Sequence, residues 1–591
     1  MEQNNRQDGR QDGRQKNEHN GGQTSEKTIA QDKGHIKENL SRRSFLKGAA
    51  LASATAATAA GTTALVGCGL TGLGSASGAT GDWLPKTWDY ECDVLVIGYG
   101  GAGMWASLIA ADEGEQEVIV LEKVALRGGG NSSINNGEWT IIEPDKADLF
   151  KRYIKTFTQG KTPENMIDAW VAECLRNVEY ADKYNMTYEI VEKALAGSIP
   201  EYAFLEGGAF EGAQKLASID GFGMVTFAEL NKKREELGIE VLFDCHDQRL
   251  IQNPETKEIL GAYTLMGNDG TEKAVKARKG VVMCTGGFEF NEDLKNEHLK
   301  CYPFKFEGWG WNTGDGIKMV EDVGAKLWHM DMAISMYSMW TRDPDFDFSI
   351  LAFMPSFSYF TVNRLGKRYV NEDNMGTPHN GWHTLLHFDD SIADYDRIPS
   401  WQIFDQSCFD AGKLSTSQGD FFECGNFASD LPDSLRAWDG WSQDNKAELE
   451  RGWILTGNTL KELGEKIKDF DPLMDVGALQ KTFDEYQEFC DAKKDARFDR
   501  NPDHLQKLDG GPYYAISLYP GSCSTLGGPM KNENGQVLNP AREVIPRLYA
   551  AGSFGNFQSH TYGITGGNNA ENMVWGRISG RHCAGLENWD A

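Results

Sequence analysis

The sequence predicts an α/β fold, with a parallel sheet whose two faces are covered by helices. The run at residues 93–97, which is apolar after Asp93, has the composition of a central parallel strand. A glycine-rich turn, GYGGAG at 98–103, follows it, and the Ala-rich residues 104–111 suit a helix. A second apolar run, 117–121, ends at Glu122. Because 591 residues are too many for one hydrophobic core, we expect two folded domains and a tail.

Composition excludes several classes of partner. The chain has 87 acidic and 59 basic side chains and a net charge of −28, which would repel nucleic acids and anionic lipid surfaces. Its 11 cysteines are dispersed and include no CxxC pair. We therefore predict no metal site, no iron–sulfur cluster and no covalently attached haem.

The first 87 residues indicate an export signal rather than a domain. Residues 1–40 are polar and lack apolar periodicity, so we expect disorder. SRRSFLK at 41–47 and the Ala/Thr/Gly-rich run to 67 predict a twin-arginine signal at 41–68, followed by a linker at 69–87. The protein is then expected in the periplasm or on the outer face of the cytoplasmic membrane. LVGC at 65–68 predicts either lipidation of Cys68, the only expected link to the membrane, or simple cleavage.

The glycine-rich turn predicts a dinucleotide site. Gly98 permits the tight turn, Gly100 lets the backbone approach a pyrophosphate, and Gly103 lets the helix pack closely on the strand. The phosphates would lie at the helix N-terminus. Glu122, about twenty residues beyond the last glycine, would accept hydrogen bonds from ribose hydroxyls.

Three later segments indicate that the dinucleotide is FAD. GGGNS at 128–132, VMCTGGF at 282–288 and LYAAG at 548–552 look like segments that wrap FAD, and NAD alone would not need them. SGAT at 77–80 resembles the end of an FMN attachment motif, but Gly74 stands where that motif has Asp, so we predict non-covalent FAD. The predicted cofactor-binding residues are Gly98, Gly100, Gly101, Ala102, Gly103, Glu122, Lys123, Gly129, Gly130, Asn131, Ser132, Thr285, Gly286, Gly287, Asp315, Gly552, Ser553, Gly567 and Asn568.

Further motifs carry a family resemblance. With the glycine turn, they are NTGDG at 312–316, NRLGKRYVNE at 363–372, and TLGG at 525–528 with GGN at 566–568. From about Cys92 onward the chain resembles the FAD-dependent fumarate reductase, succinate dehydrogenase and 3-ketosteroid Δ1-dehydrogenase superfamily. The resemblance implies a Rossmann-like FAD domain in two segments, 88–332 and 524–591, interrupted by an α+β capping domain at 333–523. It also implies a helix, from Gly566 to Asn572, whose N-terminus points at the flavin.

The dicarboxylate chemistry of this family does not carry over. Ser524 stands where fumarate reductases have a substrate-binding histidine, and Ile564 where they have a carboxylate-binding arginine. Gly376 lies near the position of their acid arginine. Because carboxylates enter a dry site at a large desolvation cost without such partners, fumarate is not the predicted substrate.

The residues around the final glycine motif supply candidate catalytic groups. Residues 561–566 keep the tyrosine-to-glycine spacing of ketosteroid dehydrogenases, so Tyr562, Gly566 and Ser524 are the candidates. Tyr562 would either polarise a carbonyl or deliver a proton, or else pack over the flavin ring. Aromatic and methionine residues crowd 309–359 and form either core or an apolar cleft. His379, His383 and His387 would share one face of a helix, outside any metal site.

The leading hypothesis is an FAD-dependent reductase. Reduced flavin would give a hydride to an activated C=C bond of a small apolar, aromatic or steroid-like acceptor, and Tyr562 or an acid on the cap would give the proton. Its electrons would come from a separate quinol- or cytochrome-linked protein. A steroid-type desaturase running the reverse reaction, and a surface flavin relay or binding protein, remain the alternatives.

Overall fold

The computed structural model describes residues 83–591 except 126, 195–198, 209–211, 220–221, 268, 344–348, 376–377, 416–439 and 560. The described residues belong to a unit that spans Ala79–Ala591. The predicted signal, the Cys68 site and the motif at 77–80 lie outside them, as does Gly376.

Strands and helices alternate through the first part of the described chain. The strands are β1 (Tyr90–Ile97), β2 (Val118–Leu121), β3 (Trp139–Ile142), β4 (Glu189–Val191), β5 (Gln214–Ser218), β6 (Glu240–Leu242), β7 (Cys245–Gln252), β8 (Ile259–Met266), β9 (Thr271–Met283), β10 (Leu327–Trp328), β11 (Ala333–Trp340), β12 (Ser349–Leu351), β13 (Tyr359–Val362), β14 (Phe388–Asp389), β15 (Asp394–Tyr395), β16 (Ser400–Asp405), β17 (Leu455–Gly457), β18 (Tyr513–Thr525), β19 (Gly528–Pro529), β20 (Gln536–Leu538) and β21 (Val544–Ala550). The helices are α1 (Gly101–Asp112), α2 (Gly130–Ser133), α3 (Ala147–Phe157), α4 (Glu164–Cys174), α5 (Asn177–Lys183), α6 (Phe222–Glu236), α7 (Glu292–His298), α8 (Asp315–Asp322), α9 (Trp382–Leu385), α10 (Gln406–Ala411), α11 (Lys446–Glu450), α12 (Leu460–Phe470), α13 (Val476–Ala492) and α14 (Gly567–Ala584).

The central sheet has the predicted parallel core. Its strands run in the order β20-β21-β9-β1-β2-β6; β8 also pairs with β9, and β7 pairs with β8. The pairs β1/β2, β1/β9, β2/β6 and β9/β21 are parallel. Strand β1 is fully buried from Val94 to Ile97, because helices cover one face and other chain segments cover the opposite face. The α/β fold predicted from the apolar runs is confirmed.

A second, antiparallel sheet carries the cap. Its order is β12-β11-β18-β16-β13, and β17 also pairs with β18. Helices α12 and α13 pack on this sheet through a cluster that includes Leu463, Leu479 and Trp401. The sheet starts at Ala333 and its long strand β18 ends at Thr525, two residues beyond the predicted boundary at 523. The predicted domain limits otherwise stay a prediction.

The stretch 363–372 has a structural role inside the cap. Arg368 forms buried ion pairs with Glu372 at 2.5 Å and with Asp495 at 2.7 Å. A carboxylate oxygen of Glu372 also accepts the backbone N–H of Thr361 at 2.9 Å. These contacts tie the stretch to strand β13 and to the segment after α13.

The part of the chain that the structure describes contains neither a metal-binding cluster nor a helix that could span a membrane. Its cysteines are free thiols, all buried except the partly exposed Cys523, and its residues hold no cluster suited to a metal ion. None of the described helices has both the length and the hydropathy that a membrane span requires.

Candidate active site

A cavity of about 490 Å³ opens between the central sheet and the cap. Its size is in the usual range for a small-molecule site. The structure brings most of the predicted site residues to it. Those that line it are Gly98, Gly100, Gly101, Ala102, Glu122, Lys123, Gly130, Asn131, Ser132, Thr285, Gly286, Asp315, Ser524, Gly552, Ser553, Tyr562, Gly566 and Asn568.

Four predicted residues lie behind the cavity wall. They are Gly103, Gly129, Gly287 and Gly567, and none of them lines the cavity. Each lies where a side chain has no room. A Cβ atom would lie 1.9 Å from the Gly98 carbonyl oxygen at Gly103, and 2.2 Å from Thr525 Oγ1 at Gly287. These glycines act through close backbone packing rather than through direct lining.

The glycine turn places the N-terminus of α1 against the cavity. Gly98 has φ +100°, and a Cβ atom there would lie 2.3 Å from the Cys284 carbonyl oxygen. Gly100 is the N-cap of α1, and the N–H of Gly101 donates to Ser132 Oγ at 3.1 Å. The N–H groups of Ala102 and Gly103 are in the first turn of the helix and have no acceptor within it. This end of α1 can therefore receive an anionic group.

Glu122 lies at the carboxyl end of β2, as predicted. Its carboxylate accepts the N–H of Tyr99 and the N–H of Val124, both at 2.9 Å. Burial raises the pKa of Glu122 above its ordinary value, and these backbone donors oppose that shift. Two oxygens with further lone pairs remain to accept hydroxyl groups of a ligand.

Lys123 and Asp315, both predicted to bind the cofactor, form an ion pair at 2.7 Å on the same side of the cavity. Lys123 also donates to Thr313 Oγ1 at 2.7 Å. Thr285 Oγ1 is buried at the cavity and has no hydrogen-bond partner among the described residues, so it is available to a ligand.

Asn131 connects the central sheet to strand β18. Its side-chain amide donates to Ser524 Oγ at 2.9 Å and to a Glu289 oxygen at 3.2 Å, and its carbonyl accepts the N–H of Trp309 at 2.5 Å. Burial raises the pKa of Glu289 to about 7. Ser524 is 1% exposed and is oriented by Asn131.

The second helix N-terminus at the cavity belongs to α14. Gly566 caps it in the left-handed region at φ 64°. The backbone N–H of Asn568 donates to the Tyr562 hydroxyl at 3.1 Å. Burial, with Glu201 nearby, raises the pKa of Tyr562 well above its ordinary value. Tyr562 is therefore a neutral phenol whose oxygen is held by the helix and whose hydrogen can be donated elsewhere.

Part of the aromatic region lines the cavity and part is core. The residues from it that face the cavity are Trp309, Trp311, Met336 and Phe353, together with Ile334 and Leu351. Met332 and Met339 are buried in the core instead. The aromatic and methionine residues of 309–359 were predicted to form either core or an apolar cleft, and each interpretation holds for some of them.

The prediction that the three cap histidines share one helix face is wrong. His379 lies in the turn Pro378–Asn380, His383 in α9, and His387 beyond the end of α9, so they do not share a helix face. The chain turns sharply between them because α9 is only four residues long. Only His379 among them lines the cavity, and its Nδ1 lies 2.6 Å from Glu201 Oε1. No sequence signal pairs these residues, which are 178 positions apart.

The residues present fit a flavin dinucleotide. Helix N-termini lie at two places on the cavity, a carboxylate ends β2, and glycines occupy positions that admit no Cβ atom. In such a site the N-terminus of α1 would hold the pyrophosphate and Glu122 the ribose, while α14 would face the flavin. These residue roles stay predictions.

Comparison with known proteins agrees with this interpretation. The profile of the FAD_binding_2 family, described as an FAD binding domain, matches residues 93–569. The digoxin reductase of Eggerthella lenta is 26% identical, over 94% of this chain and 99% of that protein. The vinyl phenol reductase of Lactiplantibacillus plantarum is 24% identical, over 83% and 96%.

A solved structure shares the fold. The 3-ketosteroid delta1-dehydrogenase of Sterolibacterium denitrificans, in complex with 1,4-androstadiene-3,17-dione, superposes with a TM-score of 0.68 at 20% identity. The match covers 84% of this chain and 99% of that one. A Rossmann-like FAD domain with a capping domain is therefore the fold of this protein, as expected.

The cofactor and the reaction class follow from these matches. The protein uses FAD and is an FAD-dependent oxidoreductase acting on C=C or CH–CH bonds, which replaces the interpretation as a bare electron relay. Because the profile spans most of its length, the chain belongs to the FAD_binding_2 family of FAD binding domain proteins.

Proposed function

We propose that this protein is an exported reductase of an activated C=C bond in a neutral, largely apolar acceptor such as an enone. The observation that carries the proposal is the position of Tyr562. Tyr562 lines the cavity together with apolar side chains of the cap, and its phenol oxygen is held at the N-terminus of α14. A carbonyl conjugated to the C=C bond is the group that such a donor would bind.

The charges of the cavity favour a neutral acceptor over a dicarboxylate. The described lining residues include no arginine, and the lysine among them, Lys123, is paired with Asp315. Glu138 and Glu307 also line the cavity. A dianion entering here would lose its hydration without gaining bidentate partners.

Each residue has a distinct task in this proposal. When bound and reduced, FAD supplies the hydride for the β-carbon of the acceptor. Tyr562 keeps its proton and donates a hydrogen bond to the acceptor carbonyl, which stabilises the negative charge that develops on the carbonyl oxygen, and the Asn568 N–H holds the phenol oxygen in position. Trp309, Met336 and Phe353 exclude water and hold the acceptor.

Export and the electron donor belong to the same proposal. The RR pair at 42–43 supports twin-arginine export, and Cys68 supports an optional lipid anchor. Outside the cytoplasm electrons would come from a separate quinol- or cytochrome-linked protein. Replacing Arg42 and Arg43 by Lys should keep the protein in the cytoplasmic fraction, and an unchanged location would remove this part of the proposal.

The acceptor is found by a dye-coupled screen under anaerobic conditions. Reduced viologen supplies electrons to the holoenzyme, and the panel contains a 4-en-3-one steroid, digoxin, a vinyl phenol and fumarate. The relatives named digoxin reductase and vinyl phenol reductase motivate two of these compounds. We expect dye oxidation with at least one neutral acceptor and none with fumarate. Turnover with fumarate alone would contradict the proposal.

The reverse reaction is the second candidate, because Tyr562 and Gly566 keep the spacing of ketosteroid dehydrogenases. A dedicated desaturase would transfer electrons from a saturated 3-ketosteroid to an oxidised dye and would leave reduced viologen unused. Measuring both directions with the same holoenzyme separates the two functions.

A further inference from the structure

His379 is placed beside the candidate catalytic tyrosine. Its ring makes an edge-to-face contact with that of Tyr562, with centroids 5.4 Å apart, and it lines the same cavity. The next residue, Asn380, donates to the Tyr562 carbonyl at 2.5 Å and accepts the Tyr562 N–H at 3.1 Å. The cap turn that carries His379 is therefore fixed to the loop that carries Tyr562.

Glu201 orients the imidazole. Its Oε1 lies 2.6 Å from His379 Nδ1, and the residue is 1% exposed. Because a carboxylate only accepts hydrogen bonds, Nδ1 carries the hydrogen of this contact. Nε2 is then the ring nitrogen left for a ligand in the cavity.

The surroundings of His379 favour its protonated form. Burial opposes the charge, but Glu201, with Glu138 and Glu307 farther off, outweighs it and raises the pKa of His379 above its ordinary value of 6.5. Tyr562 also contacts the ring and stays neutral. At a given pH a larger fraction of His379 is therefore imidazolium than for a histidine in water.

We propose that His379 is the catalytic acid of this C=C reduction and that Glu201 is its positioning residue. After hydride addition to the β-carbon, the electron pair on the α-carbon forms a new C–H bond to the proton of His379 Nε2. The Nε2–H bond breaks, His379 becomes neutral, and a proton from water restores it. This inference rests on the proposed function and names His379 as the source of the proton that the proposed reaction requires.

One test measures the pKa of His379 without catalytic turnover. Diethylpyrocarbonate modifies neutral imidazole, so the modification rate of each histidine of the oxidised holoenzyme, followed by mass spectrometry against pH, gives its pKa. We expect a pKa above 6.5 for His379 and a lower one in Glu201→Gln. His387, whose Nδ1 lies 2.7 Å from Asp396 away from the cavity, is the matched histidine and should not respond to Glu201→Gln. A His379 pKa that Glu201→Gln leaves unchanged would overturn the role of Glu201.

The second test is kinetic. The reduced holoenzyme is mixed with an acceptor from the screen, and flavin reoxidation is followed against pH. His379→Gln should slow it by about 10²- to 10⁴-fold and remove the decline of the wild-type rate at high pH. Glu201→Gln should move that decline to lower pH, and His387→Gln should change neither.

The outcomes distinguish a failure of the His379 proposal from a failure of the proposed reductase function. If no acceptor reoxidises the wild-type flavin, the proposed function fails, while the modification experiment still decides whether Glu201 holds the proton on His379. If an acceptor works and His379→Gln keeps the wild-type rate and pH profile, His379 is not the acid. FAD content is measured for every variant, and if His379→Gln loses FAD, the pH profile of Glu201→Gln decides.

Discussion

At the scale of single residues, function depends on a few polar groups whose state is set by burial. Tyr562 is kept neutral by burial and held by the N–H of Asn568, so we propose that it is a hydrogen-bond donor to the acceptor rather than a base. Glu122 uses both carboxylate oxygens to hold the backbone around the glycine turn. These two residues give separate predictions, for turnover and for cofactor affinity.

Tyr562→Phe should lower the rate of flavin reoxidation by the acceptor about 10²- to 10³-fold, because the carbonyl loses its donor. FAD content should stay unchanged, since the ring still packs against Met332, Ile334 and Leu526. Tyr202→Phe is the control, because Tyr202 bonds to Thr561 without lining the cavity. Stopped-flow spectroscopy measures both, and equal rates for the two variants would remove Tyr562 from the mechanism.

Glu122→Gln should weaken FAD binding. The glutamine keeps the size of the side chain but turns an NH₂ group toward one of two backbone N–H donors, which costs about 1.5–3 kcal/mol, or roughly 10- to 150-fold in Kd. Equilibrium dialysis of the apoprotein with FAD measures the change. In Glu117→Gln, the control, the altered side chain is exposed and contacts partly buried Arg278 outside the cavity, so this variant should bind FAD like the wild type.

At the scale of elements, helix α1 depends on a contact that only glycine allows. A Cβ atom at Gly103 would lie 1.9 Å from the Gly98 carbonyl oxygen, so α1 would have to move away from β1. Gly103→Ala should lower the free energy of unfolding by about 1–3 kcal/mol and reduce FAD retention. Gly477→Ala in α13, where an added Cβ atom would lie 3.2 Å from Asp475 Oδ1, should be neutral or stabilising. Urea denaturation compares them.

The cap depends on its buried ion pairs. Arg368→Met removes the cation paired with Asp495 and leaves Glu372 with Arg500, at 3.8 Å, as its cation, so it should cost about 3–5 kcal/mol of unfolding free energy. Arg497→Met, which breaks the more exposed pair with Glu485, should cost about 1 kcal/mol or less. Similar losses in the two variants would contradict the structural role of the 363–372 stretch.

The buried pair of Arg368 and Asp495 predicts how the stability of the protein responds to acid. Burial opposes the charge of Asp495, but Arg368 and the N–H groups of Phe498 and Arg497 lower its pKa below the ordinary 3.8. A lowered folded-state pKa contributes stability above pH 3.8 that is lost as the pH falls through the folded value. Arg368→Met should therefore lose part of the acid sensitivity seen in the wild type.

At the scale of the whole molecule, the sequence predicted local features well and distant pairings poorly. About thirty consecutive residues contain strand β1, the glycine turn to Gly103 and Glu122, so their pattern is visible in the sequence. His379 and Glu201 meet only because the cap folds over the sheet, and neither belongs to a motif. The helix expected across the three histidines failed for the same reason, since tertiary contacts decide such short segments.

We propose that FAD and a neutral unsaturated acceptor meet in one cavity that has no arginine to bind a carboxylate among its described lining residues. The direct measurement is a single anaerobic turnover: holoenzyme with its FAD fully reduced is mixed with a 4-en-3-one steroid or with fumarate, and flavin oxidation and product mass are recorded. We expect the enone to oxidise the flavin and to gain two hydrogens, while fumarate does neither. Rapid oxidation by fumarate, with the enone inert, would contradict it.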